Sequence, residues 1–97
     1  MNGLPPTPPS VRHNVAARRF EMEVAGRLAV ADYEVDGERI VFTHTFVPPE
    51  LRGRGVAEKL VRAALDWAHT GQRRVVPACS YVAAFIRRHP EFGPLVD

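Results

Sequence analysis

The chain has a single cysteine, Cys79, among 97 residues. No internal disulfide can form, which excludes a stapled secreted scaffold. One thiol cannot build a multi-cysteine zinc site, and His13, His44, His69 and His89 show no paired ligand spacing, so no metal is expected. Long apolar runs are missing too: none approaches the roughly 20 residues of a membrane-spanning helix. Prolines stand near the N-terminus where a signal peptide would carry its apolar stretch, giving the expectation of a cytoplasmic protein with no membrane partner. Charge of one sign is barely in excess. Lys and Arg number 13 against 11 Asp and Glu, a formal +2, too little to call for a nucleic-acid partner. Internal repeats are absent. What remains is an ordinary globular balance, 45% apolar and 25% charged, in a length that suits one domain.

The first ten residues hold Pro5, Pro6, Pro8 and Pro9 and little that could be buried. Residues 1–12 are expected to form a flexible proline-rich tail, with residues 13–97 as the domain; a proline-rich docking peptide is the functional alternative. From Arg18 the apolar period is two. Phe20, Met22 and Val24 alternate with Arg19, Glu21 and Glu23, a half-buried strand. Ala25-Gly26 makes a tight turn into a second strand, Leu28 to Val35, and Asp36-Gly37 signals a hairpin with positive φ at both central positions. A third strand, Arg39 to Val47, ends at Pro48-Pro49. Val56, Leu60, Ala64 and Ala68 then recur at helical spacing up to a stop at Gly71, with Trp67 capping the core beside the sheet. Val75 to Cys79 reads as a short buried strand, and Val82, Phe85, Ile86 and His89 as a second helix ended by Pro90. The expectation is an α/β domain, β-β-β-α-β-α: an antiparallel three-stranded meander plus a parallel fourth strand.

The chemistry-bearing stretch is Arg52-Gly53-Arg54-Gly55-Val56-Ala57, between a strand and a helix start. A helix N-terminus offers unpaired N–H groups and the positive end of a dipole, and glycine permits close approach of an anion. An ordinary βα loop would also use glycine to turn and arginine for solubility, so the physics alone leaves both readings open. A Walker loop is excluded by the missing Gly-Lys-Ser/Thr, and a Rossmann fingerprint by the glycine spacing and the preceding antiparallel strands.

Arg52-x-x-Gly55-x-Ala57 resembles the Gln/Arg-x-x-Gly-x-Gly/Ala signature of the GNAT N-acetyltransferase superfamily. The wider blocks His44 to Gly55, Pro77 to Val82 and Arg88-His89-Pro90-Glu91 are similar to its minimal single-domain subgroup of about 100 residues, over Asn14 to Val96. Phe46 departs from the acidic residue expected there in many bacterial relatives. The resemblance implies a trimmed GNAT fold and acetyl-CoA as co-substrate. Arg52, Gly53, Arg54, Gly55, Val56 and Ala57 would wrap the pyrophosphate of coenzyme A. Phe46 and Val47 would pair with its pantetheine arm through the backbone, satisfying a splayed sheet edge. His44 and Cys79 match the active-site pair of the subgroup, and Tyr81 sits where GNAT enzymes often place the acid that protonates the departing thiolate.

From the residues themselves, His44 falls by alternation on the face of Ile40, Phe42 and Phe46, where a histidine is as readily a packed residue as a catalyst. Cys79 reads as a small buried hydrophobe or as a thiol activated at a helix start. Tyr81 is an acid or a rim residue. Arg87, Arg88 and Lys59 read as solvated helix faces, and His13 and His69 as surface residues. The implied function is transfer of an acetyl group to a primary amine of a protein, peptide or small molecule by direct attack. The alternatives are a non-catalytic acyl-CoA sensor and a partner-binding module.

Overall fold

The computed structural model describes residues 10–97; the first nine residues of the expected tail lie outside them. Five strands, β1 (Arg12–Asn14), β2 (Arg19–Val24), β3 (Arg27–Asp36), β4 (Arg39–Phe46) and β5 (Arg74–Pro77), lie side by side in that order. The first four pair antiparallel and β5 joins β4 in parallel. Two helices, α1 (Val56–Thr70) and α2 (Ser80–Arg88), and two 3-10 segments, Pro49–Leu51 and Pro90–Leu95, complete the described chain. The α/β class and the parallel crossover through α1 are as expected.

Strand β1 is an addition to the expected topology. Three residues are too few to show a period, and what holds them is side-chain chemistry. His13 stacks on Phe20 with centroids 4.0 Å apart and shares a 2.7 Å hydrogen bond with the Tyr33 hydroxyl. It is half-buried rather than a surface residue. Next to it Glu21, a buried carboxylate, accepts from Arg12 and from the Asn14 amide at 2.9 Å. Those bonds hold its carboxyl below the usual range, against the opposing effect of burial.

The two hairpins exchange the turn chemistry expected of them. Val24 pairs with Arg27, so Ala25 and Gly26 are the central residues, and both have positive φ, 52° and 77°. That is the fully left-handed turn. In the next hairpin Asp36 pairs with Arg39, so Gly37 and Glu38 are central and Gly37 alone is positive, at 61°. Asp36 itself closes the strand.

A bulge in β4 decides which of its side chains face the helices. Phe42 lies opposite Tyr33 and His44 opposite Asp32, so Thr43 has no partner of its own. One extra residue reverses the alternation. Ile40 and Phe42 face the helices, and after the bulge Thr45 does so, opposite Ala31. His44 and Phe46 turn to the opposite, open face. This corrects the placement of His44 with Ile40 and Phe42 that strict alternation implies.

Both helices pack on the face carrying Phe20, Met22, Tyr33, Ile40 and Phe42. From α1 come Leu60, Val61, Ala64 and Leu65, and from α2 come Val82 and Phe85, all with next to no exposure. Each large apolar side chain so buried contributes about 1.5–3 kcal/mol. Trp67 closes the β2–β3 end of this core, edge-on to Phe20 and His13. At the other end Arg62 lies over the rings of Phe85 and Phe92, 5.5 and 5.6 Å from their centroids. The chain then returns to the sheet: Val96 bridges Val75, the Asp97 N–H donates to the Val75 carbonyl at 3.0 Å, and Asp97 pairs with Arg39.

Candidate functional site

Strand β4 ends because Pro48 and Pro49 have no N–H to donate. The chain turns at once into the 3-10 segment, with Leu51 N–H on the Pro48 carbonyl at 2.9 Å and the Leu51 side chain sunk in the core. Leu51 therefore pins one end of the loop, and Val56, buried in the first turn of α1, pins the other. Between them Gly53 and Gly55 adopt φ of 81° and 77°, a region that costs a side chain roughly 1–2 kcal/mol. A Cβ at either glycine would meet nothing within 4 Å. Gly55 is the N-cap of α1, and no side chain caps the helix there. Its first N–H groups and its dipole are thus turned on open space.

That space is a cleft of about 470 Å³. Phe46, Val47, Arg52, Gly53, Gly55, Val56 and Ala57 all line it; Arg54, the other member of the expected set, is exposed beside it. Arg52 reaches back so that its Nε donates to the Val47 carbonyl at 3.0 Å, which leaves its terminal nitrogens for an anion. The opposite wall is the start of α2, through Tyr81.

The cleft exists because β4 and β5 part company. Their ladder ends at Phe42–Pro77, and one further bond lies beyond it, Cys79 N–H to the Phe42 carbonyl at 2.8 Å. From Thr43 onward β4 pairs only with β3, and its other edge borders the cleft. The strand is shorter than the expected Val75 to Cys79 because Cys79 already caps α2.

The three residues expected to act chemically are not gathered at one point. Tyr81 lines the cleft, half-buried; burial raises its hydroxyl above the usual value, with Arg88 opposing and Glu58 assisting. Cys79 sits just behind, half-buried, with Sγ 3.6 Å from the Thr45 hydroxyl. Burial pushes its thiol up. Hydrogen bonding to the backbone of Val82 and to the Thr45 hydroxyl, with help from Tyr81, outweighs that and leaves the thiol below its usual value. His44 is exposed on the far side of β4, so Thr45, not His44, is the residue of that strand beside Cys79. The sequence hid Thr45, because only the bulge turns it inward. Glu58, in the first turn of α1 and also lining the cleft, could have been found from its place after Ala57 at the helix start.

Among the described residues no group of three or more His, Cys, Asp or Glu is arranged to hold a metal ion, and no helix is long and apolar enough to cross a membrane. Known proteins agree with the architecture. The fold matches the NMR solution structure of a GCN5-like protein from Staphylococcus aureus with a TM-score of 0.71, over 91% of this chain and 87% of that one, at 23% identity. Protein NATD1 of Bos taurus is 38% identical over 86 residues, and that of Homo sapiens 36%; each alignment covers 86% of this chain and 76% of the relative. Residues 19–95 match the family model for GCN5-related N-acetyl-transferases. The match takes in the loop, the cleft and the start of α2 together, and the chain belongs to the GCN5-related N-acetyltransferase family.

Proposed function

We propose that the protein is an acetyl-CoA-dependent N-acetyltransferase that moves an acetyl group to a primary amine by direct transfer. One observation carries the reading: a loop with two left-handed glycines at an uncapped helix start opens into a cleft at the unpaired edge of β4. The donors and the space suit a diphosphate followed by an amide-bearing arm. Backbone N–H groups from Gly53 to Ala57, with Arg52 and Arg54, hold the diphosphate. Phe46 and Val47 offer backbone groups to the pantetheine amides and to the thioester carbonyl, whose developing negative charge an N–H stabilises. Holding both substrates in one orientation supplies most of the acceleration.

His44, exposed on the open face, takes the proton of the acceptor amine as a general base. Tyr81 is the better donor to the departing sulfur, since it lines the cleft and its raised pKa keeps the phenol protonated. Cys79, behind Thr45 and with a lowered pKa, supports the sulfur end of the cleft as a neighbour of Thr45. Thermal shift and calorimetry with coenzyme A test the binding half of the reading. Release of free thiol from acetyl-CoA, with a panel of peptide and small-molecule amines, tests the chemical half. Binding without turnover on any amine would leave an acyl-CoA sensor, and absence of binding would leave a partner-binding module.

A further inference from the structure

The face of the sheet turned away from the helices carries a half-buried carboxylate that the fold does not use. Asp32, half-buried in the middle of β3, takes part in no ion pair and no side-chain hydrogen bond among the described residues. Glu23, near the end of β2 and opposite Leu28, also has no partner among the described residues but is exposed; the charged residues around Asp32 are engaged. Arg19, opposite Asp32 on β2, has its Nε 3.1 Å from Glu21, an ion pair that makes no hydrogen bond; Glu21 is also held by Arg12, and Glu34 by Arg18 at 3.3 Å. On the other side of Asp32, directly across the ladder, stands His44. The Thr43 bulge is what puts the two on one face, and the Thr43 hydroxyl fixes it by donating to the Asp32 carbonyl at 3.4 Å.

Beside this pair runs an apolar track. Val30, itself buried, and Leu28 follow Asp32 at every second position of β3, and Phe46 lies opposite Val30. Leu28 is 39% and Phe46 42% exposed, unusual for large apolar side chains on a sheet face. The geometry points to Asp32 as the anchor for the ammonium group of an aliphatic primary amine, its alkyl chain lying along the exposed Phe46 and its nitrogen beside His44. The inference rests on the acetyltransferase reading and names the acceptor class of that site. The unpaired edge of β4 is where the open face meets the cleft, so an amine held there reaches a thioester in the cleft from the side opposite the diphosphate loop.

The step balances without further reactants. The ammonium gives one proton to the His44 imidazole, and the freed lone pair forms the C–N bond to the thioester carbonyl carbon. The C–S bond breaks, and the sulfur leaves as coenzyme A after receiving a proton from Tyr81. The second proton of the attacking nitrogen passes to solvent, and the phenol is restored from water. Asp32 acts before and during proton removal: its charge holds the cation and is released as the neutral amide forms. A neutral arylamine, carrying no charge to hold, gains nothing from Asp32.

The test uses hexylamine as the cationic probe and aniline as the neutral one, with the full-length wild type and Asp32→Asn. For hexylamine, Asp32→Asn should raise the acceptor KM roughly tenfold to a hundredfold, the scale of one charge-assisted hydrogen bond. The KM for acetyl-CoA should stay unchanged, and aniline, which carries no charge for Asp32 to hold, should lose clearly less than hexylamine. Equal hexylamine KM values for the two proteins, or equal losses with both amines, would overturn the inference. Amide NMR of protein saturated with coenzyme A provides a reading independent of turnover. Hexylamine should shift Val30, Asp32, His44 and Phe46 in the wild type and not in Asp32→Asn; shifts elsewhere, or none, overturn the inference even if acetyl transfer occurs. Thiol release absent with every amine, while coenzyme A binds, would instead refute the acetyltransferase reading and leave the NMR titration to decide whether Asp32 holds an ammonium.

Discussion

Replacing Gly55 by valine separates the fold of the loop from its binding role. At φ 77° an L side chain costs roughly 1–2 kcal/mol, and the stiffer unfolded chain returns about half of that. No steric cost adds to it, because a Cβ at this position meets no atom within 4 Å. For a domain of this length the net loss lowers Tm by roughly 2–8 °C, so Gly55→Val stays folded. Binding fares differently. The valine methyl groups project into the space in front of the α1 N-terminus, where the diphosphate has to approach the backbone. Losing two charge-assisted hydrogen bonds from N–H groups there costs about 3 kcal/mol or more, over a hundredfold in affinity. Isothermal calorimetry with coenzyme A on a variant shown to be folded by circular dichroism reads this directly. Gly55→Ala serves as the graded control, sharing the backbone cost with a smaller intrusion. A folded Gly55→Val protein that binds coenzyme A as the wild type does would refute the reasoning.

Four further outcomes are expected. His44→Ala should lower kcat by about 10²-fold or more, as loss of a general base does, whereas Cys79→Ser keeps measurable activity. Mass spectrometry after incubation with acetyl-CoA alone should show no acetyl group on Cys79, and a stoichiometric adduct consumed by a later amine would make Cys79 the nucleophile. Deleting Met1 to Ser10 should move Tm by no more than about one or two degrees, since β1 begins after the cut; a larger loss in thermal denaturation means the segment packs on the domain. Burial lowers the pKa of His13 below 6.5, with nearby Arg73 adding to the effect. The folded state then binds fewer protons than the unfolded one just below that pH, so stability falls as pH drops through 6.5. His13→Phe, which keeps the stack on Phe20, should flatten that part of the Tm–pH curve.

Periodicity is enough to read β2, β3, β4 and both helices, because each buries a stripe on one face and so repeats in sequence, while β5 is legible as a short apolar run. It fails where the structure departs from a repeat. Three residues of β1 have no period, and their hold on the sheet comes from His13, Arg12 and Asn14 meeting Phe20, Tyr33 and Glu21, partners that only the folded chain brings near. The turn types obey register rather than the best-known dipeptide. At the site, the loop is legible since Gly53 and Gly55 mark positive φ and the helix start fixes where the N–H groups point. The arrangement of His44, Thr45 and Cys79 is not, because one unpaired threonine changes the parity of every residue after it.

The last two residues carry a consequence for handling the protein. Outer strands of open sheets are templates for other chains, and short edges and charged side chains are among the usual protections. β1 is only three residues long. β5, apolar at Val75 and Val76, relies on Val96 and Asp97, which lie along its edge and are held by the Arg39 and Arg74 guanidinium groups. This tether works as a zip fastener: undone, it bares a strand that pairs readily with a second molecule. Removing Val96 and Asp97, or breaking their hold in high salt, should therefore show first in solution as turbidity and light scattering rather than as lost binding.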